Sequence, residues 1–198
     1  MVTIDYYLSL NSPWTYLGGP RLAAIAQRHG AQVRVKPVNF GTIFPQTGGL
    51  PLPKRAPARQ AYRLMELERW RRFLDMPLTL HPRCFPTPAA KAAGLVVAAG
   101  AEGGDPLALA QAILRALWAE ERDIEADDTL EELAQATGHD APALMARASA
   151  PDIGATQDAL TEEALARGVF GAPTYALGEA LFWGQDRLDF LDRALAEA

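Results

Sequence analysis

Apolar and polar positions alternate at the start of the chain. Ile4, Tyr6, Leu8 and Leu10 fall on one face, and Thr3, Asp5, Tyr7 and Ser9 on the other. That period of two, carried by β-branched and aromatic residues, predicts a strand. Asn11-Ser12-Pro13 follows, and Ser or Asn ahead of Pro is a helix-start signal. Leu17, Leu22, Ile25 and Ala26 keep helical spacing until Gly30 closes the helix. Gln32-Val33-Arg34-Val35-Lys36 predicts a second strand, and strand, helix, strand at this length is a βαβ unit with parallel strands. The stretch from Phe40 to Pro57, rich in Gly and Pro, reads as a long connection. From Ala58 to Arg167 only helical patterns occur: Ala58–Leu74, Pro88–Ala99, Pro106–Ala119, Thr129–Thr137, Ala141–Ala148 and Ile153–Arg167. Strand character returns in Thr174–Leu177 and Ala180–Trp183, which flank Gly178-Glu179 as a hairpin with a two-residue turn. Asp186–Ala198 closes the chain as an amphipathic helix with Leu188, Leu191 and Leu195 on one face. The order β-α-β, helical block, α-β-β-α predicts an α/β fold in which an all-helical block is inserted into a sheet domain.

Composition narrows the function classes. With 198 residues, 49% hydrophobic and 22% charged, the chain can bury a core and does not have a disordered composition. A net charge of −5 argues against a general nucleic-acid binder. No apolar run approaches the roughly 18 to 20 residues of a membrane span. Met1–Asp5 carries an acid and no basic region, so no secretory signal is expected there. Cys84 is the one cysteine, which excludes an intrachain disulfide and points to a reducing, cytoplasmic setting. A single Cys with scattered His29, His81 and His139 does not make a structural zinc cage, and no metal is expected.

Two stretches could carry chemistry. Asn11-Ser12-Pro13-Trp14 lies at a strand-to-helix junction, where unpaired N–H groups and the positive end of the helix dipole favour an anion such as a thiolate. The plain reading of Ser12 is an N-cap. Gly168-Val169-Phe170-Gly171-Ala172-Pro173-Thr174 puts a proline directly before a strand that must pair. A cis Ala172–Pro173 bond would leave the Ala172 backbone open to pair with an extended peptide; the plain reading is an ordinary loop proline. Together the two stretches are the parts of a thioredoxin-like domain. The helix start has no cysteine, which excludes redox catalysis by protein thiols at that point.

Here the sequence resembles a known family. Leu10-Asn11-Ser12-Pro13-Trp14-Thr15-Tyr16-Leu17-Gly18 is similar to the Ser-Pro-Tyr-Ser-Tyr-Leu signature of the DsbA-like kappa-class glutathione transferases and 2-hydroxychromene-2-carboxylate isomerases. The likeness continues through Lys36–Phe40, Arg59–Tyr62, Glu66–Trp70, Phe85-Pro86, Trp118–Ile124, Gly168–Thr174 and Phe182–Leu188. It implies a thioredoxin-like, glutathione-binding domain formed by residues 1–57 and 168–198, and an inserted helical domain, residues 58–167, whose last helix returns to the first. It also implies a homodimer and glutathione as cofactor. Ser12 would face the glutathione sulfur, with Pro13 and Trp14 beside it. Ala172 and Pro173 would pair with the peptide-like part, and Gln185 and Asp186 would hold the γ-glutamyl end. Lys36 and Asn39 would contact a small aromatic acid substrate; the plain reading of Lys36 is a solvated strand-end lysine. Trp14 stands where the signature has Tyr, and Gly48–Pro53 lacks the Asn of the kappa-class loop.

The remaining charges read as structure. Arg59, Arg63, Arg69, Arg71 and Arg72 share a helix with Glu66 and Glu68 and suggest a salt-bridged exposed face, with an anion-binding edge as the alternative for Arg59. Trp70 and Trp118 read as core, and Cys84 as a packed thiol. Three functions remain open: a glutathione-dependent isomerase of the chromene acid, a kappa-like transferase or peroxidase on another electrophile, and a non-catalytic thioredoxin-like binding module.

Overall fold

The computed structural model describes residues 1–198. The first unit is β1 (Thr3–Leu8), α1 (Pro13–His29) and β2 (Gln32–Pro37). Ser12 caps α1, and Gly30 ends it in the left-handed region at φ 59°, where its N–H reaches the carbonyls of Ala26 and Gln27. Next come α2 (Phe40–Thr47), a 3-10 turn (Leu52–Lys54) and the helices α3 (Pro57–Phe73), α4 (Ala90–Ala101), α5 (Pro106–Trp118), α6 (Asp127–Ala136), α7 (Ala141–Ala148) and α8 (Pro151–Ala166). The chain returns through β3 (Thr174–Leu177), β4 (Ala180–Trp183), a second 3-10 turn (Gln185–Arg187) and α9 (Leu188–Ala196). The four strands form one mixed sheet in the order β2-β1-β3-β4, with β1 parallel to β2 and antiparallel to β3. This is a thioredoxin-like α/β fold with a helical insertion.

Two sequence expectations change. Phe40–Thr47 is helical rather than part of an open connection: Asn39 caps it and Gly48 closes it in the left-handed region. The start and stop signals are both in the sequence, but Gly41, Pro45 and the prolines beyond mask them. Strand β1 is buried on both faces rather than one. Ile4, Tyr6 and Leu8 face the main core. Tyr7 lies opposite, in a second cluster with Phe40 and Ile43 of α2, Ala164 of α8 and Ala176 of β3.

The polar face of β1 is covered because its charge is matched. Asp5, 5% exposed, accepts two bonds from Arg34 on β2, at 2.6 and 2.9 Å. Lys36 and Arg167 pair with the same carboxylate at 3.1 and 2.7 Å. Burial pushes this carboxyl up, but the three cations outweigh it and hold it below its ordinary value. The main core is one continuous cluster of 36 buried apolar residues that runs from β1 and α1 through α4–α7 to α9. Helix α8 packs on both α4 and β2, so sheet and helical block share an interior.

Candidate active site

Four chain segments meet at one end of the sheet. Leu8, near the end of β1, pairs with Pro37 of β2, and Thr174, opening β3, pairs with Tyr7 and with Trp183 of β4. The segments that leave or enter these positions carry Ser12-Pro13-Trp14, Asn39, Ala172-Pro173 and Gln185-Asp186. Two backbone bonds stitch them together: Val38 N–H to the Leu8 carbonyl at 3.0 Å, and Gly184 N–H to the Pro173 carbonyl at 2.8 Å. Residues that are far apart in sequence thus come to a common rim. Lys36 lies one position back, beside Tyr7.

Ser12 has extended backbone angles, and its Oγ accepts the Thr15 N–H at 3.3 Å. That bond uses a lone pair. The hydroxyl hydrogen is given to no acceptor in the chain and remains available to an anion. The first turn of α1 contains no acidic residue, so the positive helix end is uncompensated. The Ala172–Pro173 peptide is cis. Neither the N–H nor the carbonyl of Ala172 has a backbone partner, so one residue of extended edge is open. Phe170 and Trp183 flank this loop edge to face, 4.7 Å between ring centres, and both are exposed.

The other expected residues differ in how free they are. Asp186 is exposed and its nearest cation is its neighbour Arg187, at 3.5 Å. Gln185 is buried, and its main-chain and side-chain oxygens accept from Arg21 at 3.0 and 3.3 Å. Gly184, which turns the chain into this pair, has φ 104°, a region L side chains rarely adopt. The Asn39 side-chain oxygen is taken by the Gly41 N–H at 2.8 Å, and its own N–H donates to Thr161 Oγ1 at 3.0 Å. Lys36 is 8% exposed, not solvated, and its ammonium is held by Glu163 at 2.6 Å and Asp5 at 3.1 Å. Burial pushes the Glu163 carboxyl up, but Lys36 and Tyr7 hold it below its ordinary value. Burial and the Glu163 contact push the Tyr7 phenol well above its usual range.

One feature of α3 has no clear signal in the sequence. The Arg63 guanidinium lies over the rings of Phe85 and Trp118, 5.6 and 5.8 Å from their centres. The expected salt-bridged face exists further along α3, where Arg69 pairs with Glu66, and Arg71 and Arg72 with Glu68. Arg63 has no such partner. Arg63 precedes Glu66 by three positions where the others follow a glutamate, and only the fold shows that its side faces Phe85 rather than that carboxylate.

Comparison with known proteins gives consistent results. The DSBA-like thioredoxin domain family matches residues 3–196. A 2-hydroxychromene-2-carboxylate isomerase from Sphingobium xenophagum is 30% identical over 197 residues, covering 98% of both chains. A solved 2-hydroxychromene-2-carboxylate isomerase superposes with a TM-score of 0.85 at 26% identity, covering 98% of this chain and 95% of the other. Glutathione S-transferase kappa 1 from Caenorhabditis elegans is 31% identical over 80 residues, 40% of this chain and 35% of its own length. In fold alone, the cytosolic disulfide reductase DsbM from Pseudomonas aeruginosa, solved with GSH, matches at TM-score 0.71 and 24% identity, over 98% of this chain and 100% of that one.

Proposed function

The chain belongs to the DSBA-like thioredoxin domain family, and from that premise we propose that it is a glutathione-dependent isomerase acting on 2-hydroxychromene-2-carboxylate or a closely related aromatic acid. Full-length relatives carrying that activity in their names support the reaction class. The observation that carries the reading is the free Ser12 hydroxyl hydrogen at the uncompensated end of α1, on the same rim as the unpaired Ala172 backbone. This arrangement fits glutathione. Ala172 offers an N–H and a carbonyl to its peptide-like part, and the exposed Asp186 carboxylate suits its free amine.

Glutathione, if bound here, would supply a thiolate, a nucleophile suited to reversible addition to a conjugated carbon of the ring-opened substrate and hence to its conversion to trans-o-hydroxybenzylidenepyruvate. Ser12 would donate a hydrogen bond to that sulfur and act as an anion stabiliser, not as a nucleophile. A free thiol titrates near 8.5, and lowering that by about two units requires roughly 2.7 kcal/mol of preference for the anion. A charge-assisted hydrogen bond together with the helix end is of that size. The same reading takes the protein as a cytoplasmic homodimer. Helix α8, which packs on β2 and α2, would close the inserted domain back onto the glutathione-binding one.

A spectrophotometric assay on the chromene acid, with and without glutathione, tests the reading. Turnover that requires glutathione yet does not consume it is the expected result. Consumption of glutathione would instead favour a kappa-like transferase, and absence of any glutathione binding by calorimetry would favour a silent binding module.

A further inference from the structure

An aromatic acid needs a cation as well as a flat surface, and Lys36 is already shared by two carboxylates. Arg63 is different. It forms no ion pair and no hydrogen bond within the chain, although it is only partly exposed. Five N–H donors on a planar guanidinium therefore lack an acceptor. Burial, with Arg55 nearby as a second positive charge, pushes its pKa down to about 10, so it stays cationic at neutral pH while being poorly compensated. Its side chain is held in place by rings: Phe85 and Trp118 pack 4.8 Å apart, with the guanidinium facing both.

This frame is tied to the α1 end. The Asn11 side-chain amide donates to the carbonyl of Thr87, two residues beyond Phe85, and Asn11 directly precedes Ser12. Two polar atoms in the same neighbourhood are also buried without partners, Asn11 Oδ1 and Trp118 Nε1. An unpaired guanidinium on an aromatic support, whose Phe85 lies two residues before the Thr87 carbonyl that accepts from Asn11, is suited to a carboxylate carried on a planar ring.

We propose that Arg63 binds the carboxylate of the aromatic acid substrate, with Phe85 as the aromatic surface beside it, and so sets the specificity of the site for acids. The inference deepens the isomerase reading and rests on it for the identity of the substrate. Its contribution is to binding and orientation: the acid end is fixed at α3, and the conjugated chain is directed toward Ser12.

The test uses Arg63→Met and Arg63→Lys in the full chain, with folding checked by circular dichroism. The non-reacting probe is trans-cinnamate, with cinnamyl alcohol as its uncharged counterpart, both titrated calorimetrically. Arg63→Met should weaken cinnamate binding at least tenfold and leave cinnamyl alcohol and glutathione affinities within twofold. Arg63→Lys, which keeps the charge but loses the planar fork, should fall between. In turnover, KM for the chromene acid should rise at least tenfold in Arg63→Met with a smaller change in kcat. Unchanged cinnamate affinity, or equal loss for acid and alcohol in folded variants, overturns the proposal. Wild-type protein that binds cinnamate through Arg63 but turns over no chromene acid would overturn the isomerase reading and leave the carboxylate site standing.

Discussion

Ser12 performs two tasks with one hydroxyl. Its lone pair caps α1 through the Thr15 N–H, and its hydrogen is free. The tasks can be separated by substitution, because an N-cap Ser replaced by Ala loses about 1 kcal/mol of helix stability whereas Gly loses only a few tenths. Ser12→Ala and Ser12→Gly should both lower turnover about tenfold or more, the effect of losing a hydrogen bond to a charged group worth roughly 1.5–3 kcal/mol. Only Ser12→Ala should also lower the melting temperature. Turnover rates and thermal denaturation of the two variants check this, and normal turnover in Ser12→Gly would remove the serine from the chemistry. At this scale the sequence was informative about Ser12 and Pro173, whose neighbours in the chain declare a helix start and a strand entry. It was uninformative about Lys36 and Arg63. The availability of a cation depends on which carboxylates the fold brings to it, and Asp5 and Glu163, the partners of Lys36, lie 31 positions before it and 127 after it.

Helix α1 shows how closely the elements are fitted. Gly18 faces β3 and the turn before α9, and a methyl group there would lie 2.6 Å from Tyr175 Oη and 2.9 Å from Gln185 Cβ. Both neighbours are buried, so neither can swing away. Gly18→Ala should therefore destabilise the fold by about 1–3 kcal/mol through overpacking, despite the better helix propensity of alanine. A fall in melting temperature of roughly 2–4 °C per kcal/mol, measured by calorimetry, is the expected outcome for a domain of this size. The strands of the C-terminal hairpin were legible to the residue, because alternation and a two-residue turn are local signals. Helix α2 was not, because its short length and internal Gly41 and Pro45 obscure a pattern that Asn39 and Gly48 in fact bracket. The burial of Asp5 on the polar face of β1 was equally hidden, since it follows from Arg34, Lys36 and Arg167 converging from two other elements.

That convergence sets the response of the whole molecule to acid. Asp5 and Glu163 both have folded-state pKa values below their ordinary values of 3.8 and 4.5. Such groups contribute stability above those values and lose it as pH falls through the depressed folded values. The melting temperature should thus change little from neutral pH to about pH 5 on account of these groups, then fall steeply below about pH 4. Asp5→Asn, which removes the buried carboxylate that three cations share, should cost about 3 kcal/mol at neutral pH and flatten the acid limb; thermal melts across pH compare the two proteins. Because sheet and helices share one core, a single unfolding transition is expected. The placement of β1 at the centre of the sheet has a consequence for how the protein is made. One flank of β1 is covered early, by residues 32–37, whereas the other waits for residues 174–177. At about 5–20 residues per second of translation, an emerging chain carries an open strand edge for roughly seven seconds to half a minute. Ribosome-bound chains stopped before residue 174 should be sticky, and stopping after the hairpin has emerged should relieve it.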